Sequence, residues 1–252
     1  MTVAPPSDYF HASDGTRLAY RVLGDGPPVV MLHGLFSNGT VNWFKYGHAQ
    51  KVADAGFRAI VADLRSHGDS DAPHDPAAYP ADVLVRDAAE LVAHLGLSEF
   101  DLVGFSLGAR TSVRAVVAGM KPRRLVLGGM GLEGLAGWTQ RGAFFRRAVA
   151  EFETSKRGDD TWMAIQFMKT MKVDRVAAGH LLGSFADTPP EALAAVTMPT
   201  MLVCGEQDQD NGSAEALCAA LPDARLVTVP GTHMSSVVEA AMGEAIAGFL
   251  GA

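Results

Sequence analysis

Asp101-Leu102-Val103-Gly104-Phe105-Ser106-Leu107-Gly108 decides how this chain folds. An apolar strand over Phe100 to Phe105 runs into Gly104, and a segment of helical character, Leu107 to Ala118, starts directly after Ser106. Passing from strand to helix in so few residues needs a sharp, strained bend. Gly104 and Gly108 lack the side chains that would collide with the neighbouring strand and helix. Such a bend projects Oγ of Ser106 from the end of the sheet, and the helix N-terminus adds partial positive charge where an oxyanion would form. A bare Gly-x-Ser-x-Gly is a weak signal. Its strand–turn–helix setting makes Ser106 a candidate nucleophile instead of a serine that merely caps a helix.

Upstream, Asp8 to Ala12 and Leu18 to Leu23 are short strands separated by the turn signal Ser13-Asp14-Gly15-Thr16, an antiparallel entry. Pro28 to Leu32 is continuously apolar, as in a strand buried on both faces. Phe57 to Ala62 is a further strand, and Ala81 to Leu95 has helical periodicity in Val83, Leu84, Ala88, Leu91, Val92 and Leu95. Downstream, Arg124 to Leu127, Thr200 to Cys204 and Ala224 to Val229 are strands, with helices over Ser213 to Ala220 and Val237 to Leu250. This alternation supplies the crossovers that parallel strands need.

One segment breaks the rhythm. Roughly seventy residues between Leu127 and Thr200 show no strand signal, too long for a structureless loop. Gly131 to Pro190 holds seven of the 19 aromatics (Trp138, Phe144, Phe145, Phe152, Trp162, Phe167 and Phe185) and also Met163, Met168 and Met171. It reads as a helical insertion whose aromatics either pack on the main domain or line an apolar pocket.

The bulk properties agree with one compact domain carrying an insertion. The chain has 252 residues, 48% apolar and 19% charged, which suits a sizeable core. Its 21 Lys and Arg against 28 Asp and Glu give a net charge of −7, which argues against a nucleic-acid partner. Two cysteines, Cys204 and Cys218, make no disulfide framework and read as reduced thiols in a cytoplasmic protein. No basic region followed by an apolar run opens the sequence, and no apolar stretch approaches the ~18 residues of a membrane span. No zinc-type Cys/His cluster occurs, so no metal is expected.

A serine needs a base oriented by a third group. Of the eight histidines, His233 stands in Val229-Pro230-Gly231-Thr232-His233, a loop past the last strand at the ligand-binding end of the sheet. His11, His48, His74, His94 and His180 read as surface residues, while His33 and His67 belong to loops near the site. The third group is Asp208, at the end of Met201-Leu202-Val203-Cys204-Gly205-Glu206-Gln207-Asp208. Glu206 and Asp210 lie close to it, and Glu133 follows the preceding strand, so each is an alternative acid. The chain order Ser…Asp…His suits this arrangement.

These residues resemble the α/β-hydrolase fold family, in its serine esterase and lactonase-like branch, and the likeness spans nearly the whole chain. The resemblance implies a mostly parallel eight-stranded sheet flanked by helices, with a helical cap inserted after strand 6. Residues 1–130 and 191–252 would form the core and 131–190 the cap. His33-Gly34-Leu35-Phe36 resembles the family's oxyanion loop, which implies that the backbone N–H groups of Leu35 and Leu107 hold the oxyanion and that His33 braces the loop. Asp63-Leu64-Arg65-Ser66-His67-Gly68-Asp69-Ser70 resembles the family's D-x-R-G-x-G-x-S loop. Ser66 stands where glycine is usual, which predicts a slightly altered backbone.

The implied reaction is hydrolysis of a carboxylic ester through an acyl-enzyme, without a cofactor. Related aspartate-dependent dehalogenases and epoxide hydrolases are disfavoured by Ser106 and by a cap without tyrosine. Carbon–carbon bond hydrolases usually carry tryptophan after the base, where Met234 stands here. Haloperoxidases usually carry a proline in the oxyanion loop that Leu35-Phe36-Ser37-Asn38-Gly39 lacks. The alternatives are an enol-lactone or carbon–carbon bond hydrolase, or a slow hydrolase serving as a ligand receptor. Candidate pocket residues are Phe36, Phe105, Trp138, Phe145, Trp162 and Met234. The cap's eight Lys and Arg, Arg141 among them, against seven acidic residues give no clear cationic excess, which predicts a small, largely neutral ester or lactone as the partner. A monomer or a homodimer would serve equally.

Overall fold

Eight strands lie in the order β1-β2-β4-β3-β5-β6-β7-β8 in the computed structural model, which describes residues 3–252. They are β1 (Asp8–His11), β2 (Arg17–Leu23), β3 (Pro28–Leu32), β4 (Arg58–Ala62), β5 (Asp101–Phe105), β6 (Leu125–Gly128), β7 (Thr200–Gly205) and β8 (Ala224–Val229). Only the β1/β2 and β2/β4 pairings are antiparallel. A tight turn joins β1 to β2, whereas the remaining pairs are parallel and need crossovers.

The helices are α1 (His48–Asp54), α2 (Val83–His94), α3 (Leu107–Val117), α4 (Leu132–Ala136), α5 (Trp138–Ala150), α6 (Trp162–Thr170), α7 (Arg175–Gly183), α8 (Ala214–Ala220), α9 (His233–Ser236) and α10 (Ala240–Leu250). The period of two along β3 divides the core. Val30 and Leu32 face α2, α3 and α8, while Val29 and Met31 face α1 and α10. The chain leaves β3 for β4 on one side and returns to β5 on the other. That reversal opens a crevice at the carboxyl ends of β3 and β5, where ligands bind in such sheets.

Between β6 and β7 the chain forms α4 to α7 and no strand. Two arginines of α3 hold the foot of this segment. Arg110 donates to the carbonyls of Gly134 and Leu135 at 2.6 and 3.0 Å, and Arg114 donates to the carbonyl of Asp187 at 2.9 Å. Above them Phe36, Trp138, Met168, Ala178 and Leu182 form a third apolar cluster with Phe145 and Phe185 at its margin.

Three local features depart from the sequence reading. The helix expected over Val237 to Leu250 is split: a Thr232/Ser235 capping box starts α9 at His233, extended backbone at Glu239 breaks the path, and α10 begins at Ala240. Helix α1 and the turn before it, with Trp43 and Phe44 fully buried, carry no long periodic pattern in the sequence. His48 is a core residue, not a surface one. Its Nε2 donates to the carbonyl of Val237 at 2.6 Å. It fits because a Cβ on Gly243 would lie 2.7 Å from its Nδ1. Among the described residues no helix is long and apolar enough to cross a membrane, and both cysteines are free thiols.

Candidate active site

Ser106 is the hinge between β5 and α3. Its φ of 53° and ψ of −111° lie outside the regions open to most side chains, a strain of order 1–3 kcal/mol that the surroundings must hold. They hold it by close approach. A Cβ on Gly104 would sit 2.3 Å from backbone atoms of Gly108, and one on Gly108 would sit 2.2 Å from the carbonyl oxygen of Leu32. The Ser106 N–H donates to the carbonyl of Gly128 at 2.8 Å, which ties the bend to β6.

His233 opens α9 just past β8. Its Nε2 lies 3.0 Å from Ser106 Oγ, and its Nδ1 lies 2.9 Å from Asp208 Oδ2. An ionised carboxylate only accepts, so Nδ1–H donates to Asp208 and Nε2 is left to accept the serine hydroxyl. Asp208 and His233 are both buried. The other Asp208 oxygen accepts the N–H of Asp210 at 3.1 Å. The ring of Phe105 lies 5.1 Å from the imidazole and tilted 32° to it. Gly129 leaves space beside it, since a Cβ there would reach within 3.0 Å of His233 Cε1. The alternative acids are elsewhere. Glu206 and Asp210 are exposed, and Glu133, also exposed, accepts the N–H of Ser213 at 2.9 Å.

The loop after β3 supplies donors. The N–H of Gly34 is taken by Asn42 Oδ1 at 3.1 Å, that of Phe36 by His67 Nε2 at 3.0 Å, and that of Ser37 by the Gly34 carbonyl at 3.2 Å. Among the described residues no group accepts from the N–H of Leu35 or from that of Leu107, the first residue of α3. Two unengaged N–H groups beside a serine are what an oxyanion site requires.

His33 and His67 brace this loop as neutral rings. Each accepts a backbone N–H on Nε2, from Leu64 and Phe36 respectively, and each donates from Nδ1 to a carbonyl. Burial and the neighbouring His33 push His67 down to about 3. Burial also lowers His33. The adjoining loop is fastened by Asp63, which accepts from the N–H groups of Gly39 and Asp69 and from Arg21. Ser66 takes a φ of +69°, so the serine adopts the left-handed backbone that favours glycine, and its hydroxyl meets Tyr79 Oη at 2.9 Å.

Of the expected pocket residues, Phe105 lies under His233. Phe36, with a φ of +59°, meets Phe145 edge-on at 5.9 Å. Trp138 stacks on Phe145, meets Phe185 at 4.8 Å and donates from Nε1 to the Leu182 carbonyl at 3.3 Å. It is therefore packed largely within the helical segment itself. Trp162 lies outside that cluster, and Met234 is 56% exposed. Asn42 and His67, which orient the donor loop, carried no motif that assigned them this part. No group of three or more His, Cys, Asp or Glu among the described residues is arranged to hold a metal ion.

Comparison with known proteins agrees with this architecture. Residues 27–124 match the alpha/beta hydrolase fold family model. A non-heme haloperoxidase of Rhodococcus erythropolis is 30% identical, with 87% of this chain and 90% of that protein covered. Epoxide hydrolase 2 of Siraitia grosvenorii is 35% identical over 99 residues, which is 39% of this chain and 30% of that relative. The chain thus matches only about a third of the length of such epoxide hydrolases. A thermophilic esterase from Thermogutta terrifontis superposes with a TM-score of 0.78 at 22% identity over 98% of each chain, a likeness of fold. With the sheet order, the strained serine and a relative matched over nearly its full length, the chain belongs to the α/β-hydrolase fold family.

Proposed function

We propose that this protein is a serine hydrolase that cleaves a carboxylic ester, or its cyclic equivalent a lactone, of a small substrate. The observation that supports it best is the continuous hydrogen-bonded series Ser106 Oγ, His233 and Asp208, set beside the unengaged N–H groups of Leu35 and Leu107. Ser106 attacks the carbonyl carbon while His233 Nε2 takes the hydroxyl proton. Asp208 holds the imidazole in the Nδ1–H tautomer and stabilises the imidazolium. Leu35 and Leu107 donate to the tetrahedral oxyanion. His233 returns its proton to the leaving alcohol, and an acyl-enzyme on Ser106 remains. Water, deprotonated by His233, then releases the acid. Helices α4 to α7 would act as a cap over this centre, with the Phe36 and Phe145 contact as its inner wall. The two free thiols suit a reducing compartment such as the cytoplasm.

The test is Ser106→Ala assayed on p-nitrophenyl esters of graded acyl length. Loss of a serine nucleophile costs on the order of 10⁴–10⁶ in kcat, with thermal stability retained. Activity within about tenfold of the parent would sink the assignment.

A further inference from the structure

Trp138, Arg141, Phe145 and Ala148 are spaced three, four and three residues apart on α5, so they share one stripe of the helix. The sheet order fixes what that stripe crosses. Phe145 meets Phe36 in the loop after β3. Arg141, one turn earlier, interacts electrostatically with Asp210 and Asp208 in the loop after β7. Strand β5, which runs into Ser106, lies between β3 and β7. The stripe therefore passes over the nucleophile's end of the sheet and brings one cation there.

Arg141 differs from the other inward arginines. Arg110 and Arg114 spend their donors on carbonyls and carboxylates. Arg141 is half-buried, yet its guanidinium makes no hydrogen bond or ion pair with any described residue. Its neighbouring acids do not neutralise it at contact. Asp208 is committed to His233 and to the N–H of Asp210, and Asp210 is exposed. Burial lowers the guanidinium's proton affinity against the pull of those two carboxylates, though the group stays charged. A partly desolvated cation with free donors is unfavourable until an anion meets it, and the planar fork of arginine matches a carboxylate.

We infer that Arg141 recognises a carboxylate carried by the substrate, so that the ester cleaved at Ser106 bears a second, ionised carboxyl group. This rests on the serine-hydrolase reading. The near-equal charges of the helical segment predict a neutral substrate, but the position of one cation outweighs the count.

Two matched pairs test it. One is p-nitrophenyl hydrogen glutarate against p-nitrophenyl valerate, with the carboxylate on the acyl side. The other is butyryloxyacetate against ethyl butyrate, with the carboxylate on the alcohol side. In at least one pair the charged ester should have the higher kcat/KM. Arg141→Gln should lower that value on the order of 10- to 100-fold, the worth of a charge-assisted contact. The neutral partner should change less than about threefold, and Arg141→Lys should restore part of the loss. Calorimetric binding of monomethyl glutarate to Ser106→Ala, with and without Arg141→Gln, gives a readout independent of turnover, and the second substitution should weaken it by about tenfold or more. The inference is overturned if neither charged ester is preferred, or if Arg141→Gln affects both members of each pair equally. If the parent cleaves no ester at all, the hydrolase reading fails and the binding comparison alone decides the role of Arg141.

Discussion

The Nε2 atom of His67 accepts the backbone N–H of Phe36 at 3.0 Å and so clamps the loop after β3 to the loop after β4. Phe36 is held in left-handed backbone, and the N–H of Leu35, its predecessor, is the one left pointing free. The backbone that presents this N–H is thus held by a histidine outside the Ser106–His233–Asp208 series.

Replacing His67 with alanine should leave the Phe36 N–H unsatisfied and let the loop relax. Misaiming one oxyanion donor costs up to ~10²–10³ in kcat, and a loss of about tenfold to a hundredfold is expected, with KM changed less. His67→Gln, whose amide oxygen can accept the same N–H, should recover part of the rate. A raised KM with kcat intact would show that the clamp serves substrate binding instead.

Acid should weaken the fold before it touches carboxylate pairs. His67, pushed down to about 3 by burial, and His33 and His48, also lowered by burial, stay neutral when folded. Unfolded, they take up protons near the ordinary histidine value of about 6.5. The unfolded state then binds more protons, so stability falls as pH drops below about 6.5, by at most ~1.4 kcal/mol per pH unit for each group, and for His67 the fall continues to about 3. Urea midpoints between pH 7 and 5 should fall steadily. His48→Gln should flatten the slope, and an unchanged slope would remove His48 from this account.

Gly108 and Gly248 make a contrasting pair. A Cβ at Gly108 meets the Leu32 carbonyl at 2.2 Å, and main-chain atoms cannot yield cheaply. Gly108→Ala should therefore destabilise by about 1–3 kcal/mol or more and also abolish activity by moving α3 away from β3. At Gly248 on α10 nothing lies within 4 Å of such an atom, so Gly248→Ala should be stabilising by up to about 1 kcal/mol. Chemical denaturation of the two variants checks both signs.

Asp208→Asn should lower kcat by roughly 10³ or more, because an amide favours the wrong imidazole tautomer. Asp210→Asn keeps the backbone N–H that Asp208 accepts, and Glu133→Gln acts only at Ser213, so both should stay within about tenfold of the parent. A reversed ranking in steady-state rates would name a different acid.

Much of this was legible in the chain because some signals are local. Pro28 to Leu32 reads as a buried strand from its own apolar run, and Ser106 from two flanking glycines and the strand before it. The choice among Asp208, Glu206, Asp210 and Glu133 is not local. It depends on which carboxylate faces His233 across two loops, and Gly205 passes Gly231 closely enough to bring them together. The same limit hid Asn42 and His67, whose partners are eight and 31 residues away. It hid His48, whose acceptor is 189 residues distant. Arg141 shows the limit in another form: among eight basic residues of the helical segment, only the helix stripe and the sheet order distinguish it.

The strand order also sets when the chemistry becomes available. Ser106 and its donor loop are finished once β3 to β6 have paired, yet His233 is 127 residues beyond the serine and arrives only with β8 at the sheet's edge. A chain that ended before that edge would lack His233, and so the base, whatever its serine did. On the serine-hydrolase reading, the last two strands therefore bring both the acid and the base: Asp208 follows β7 and His233 follows β8, so truncation before them should remove most of the activity while the serine's own bend lies far upstream.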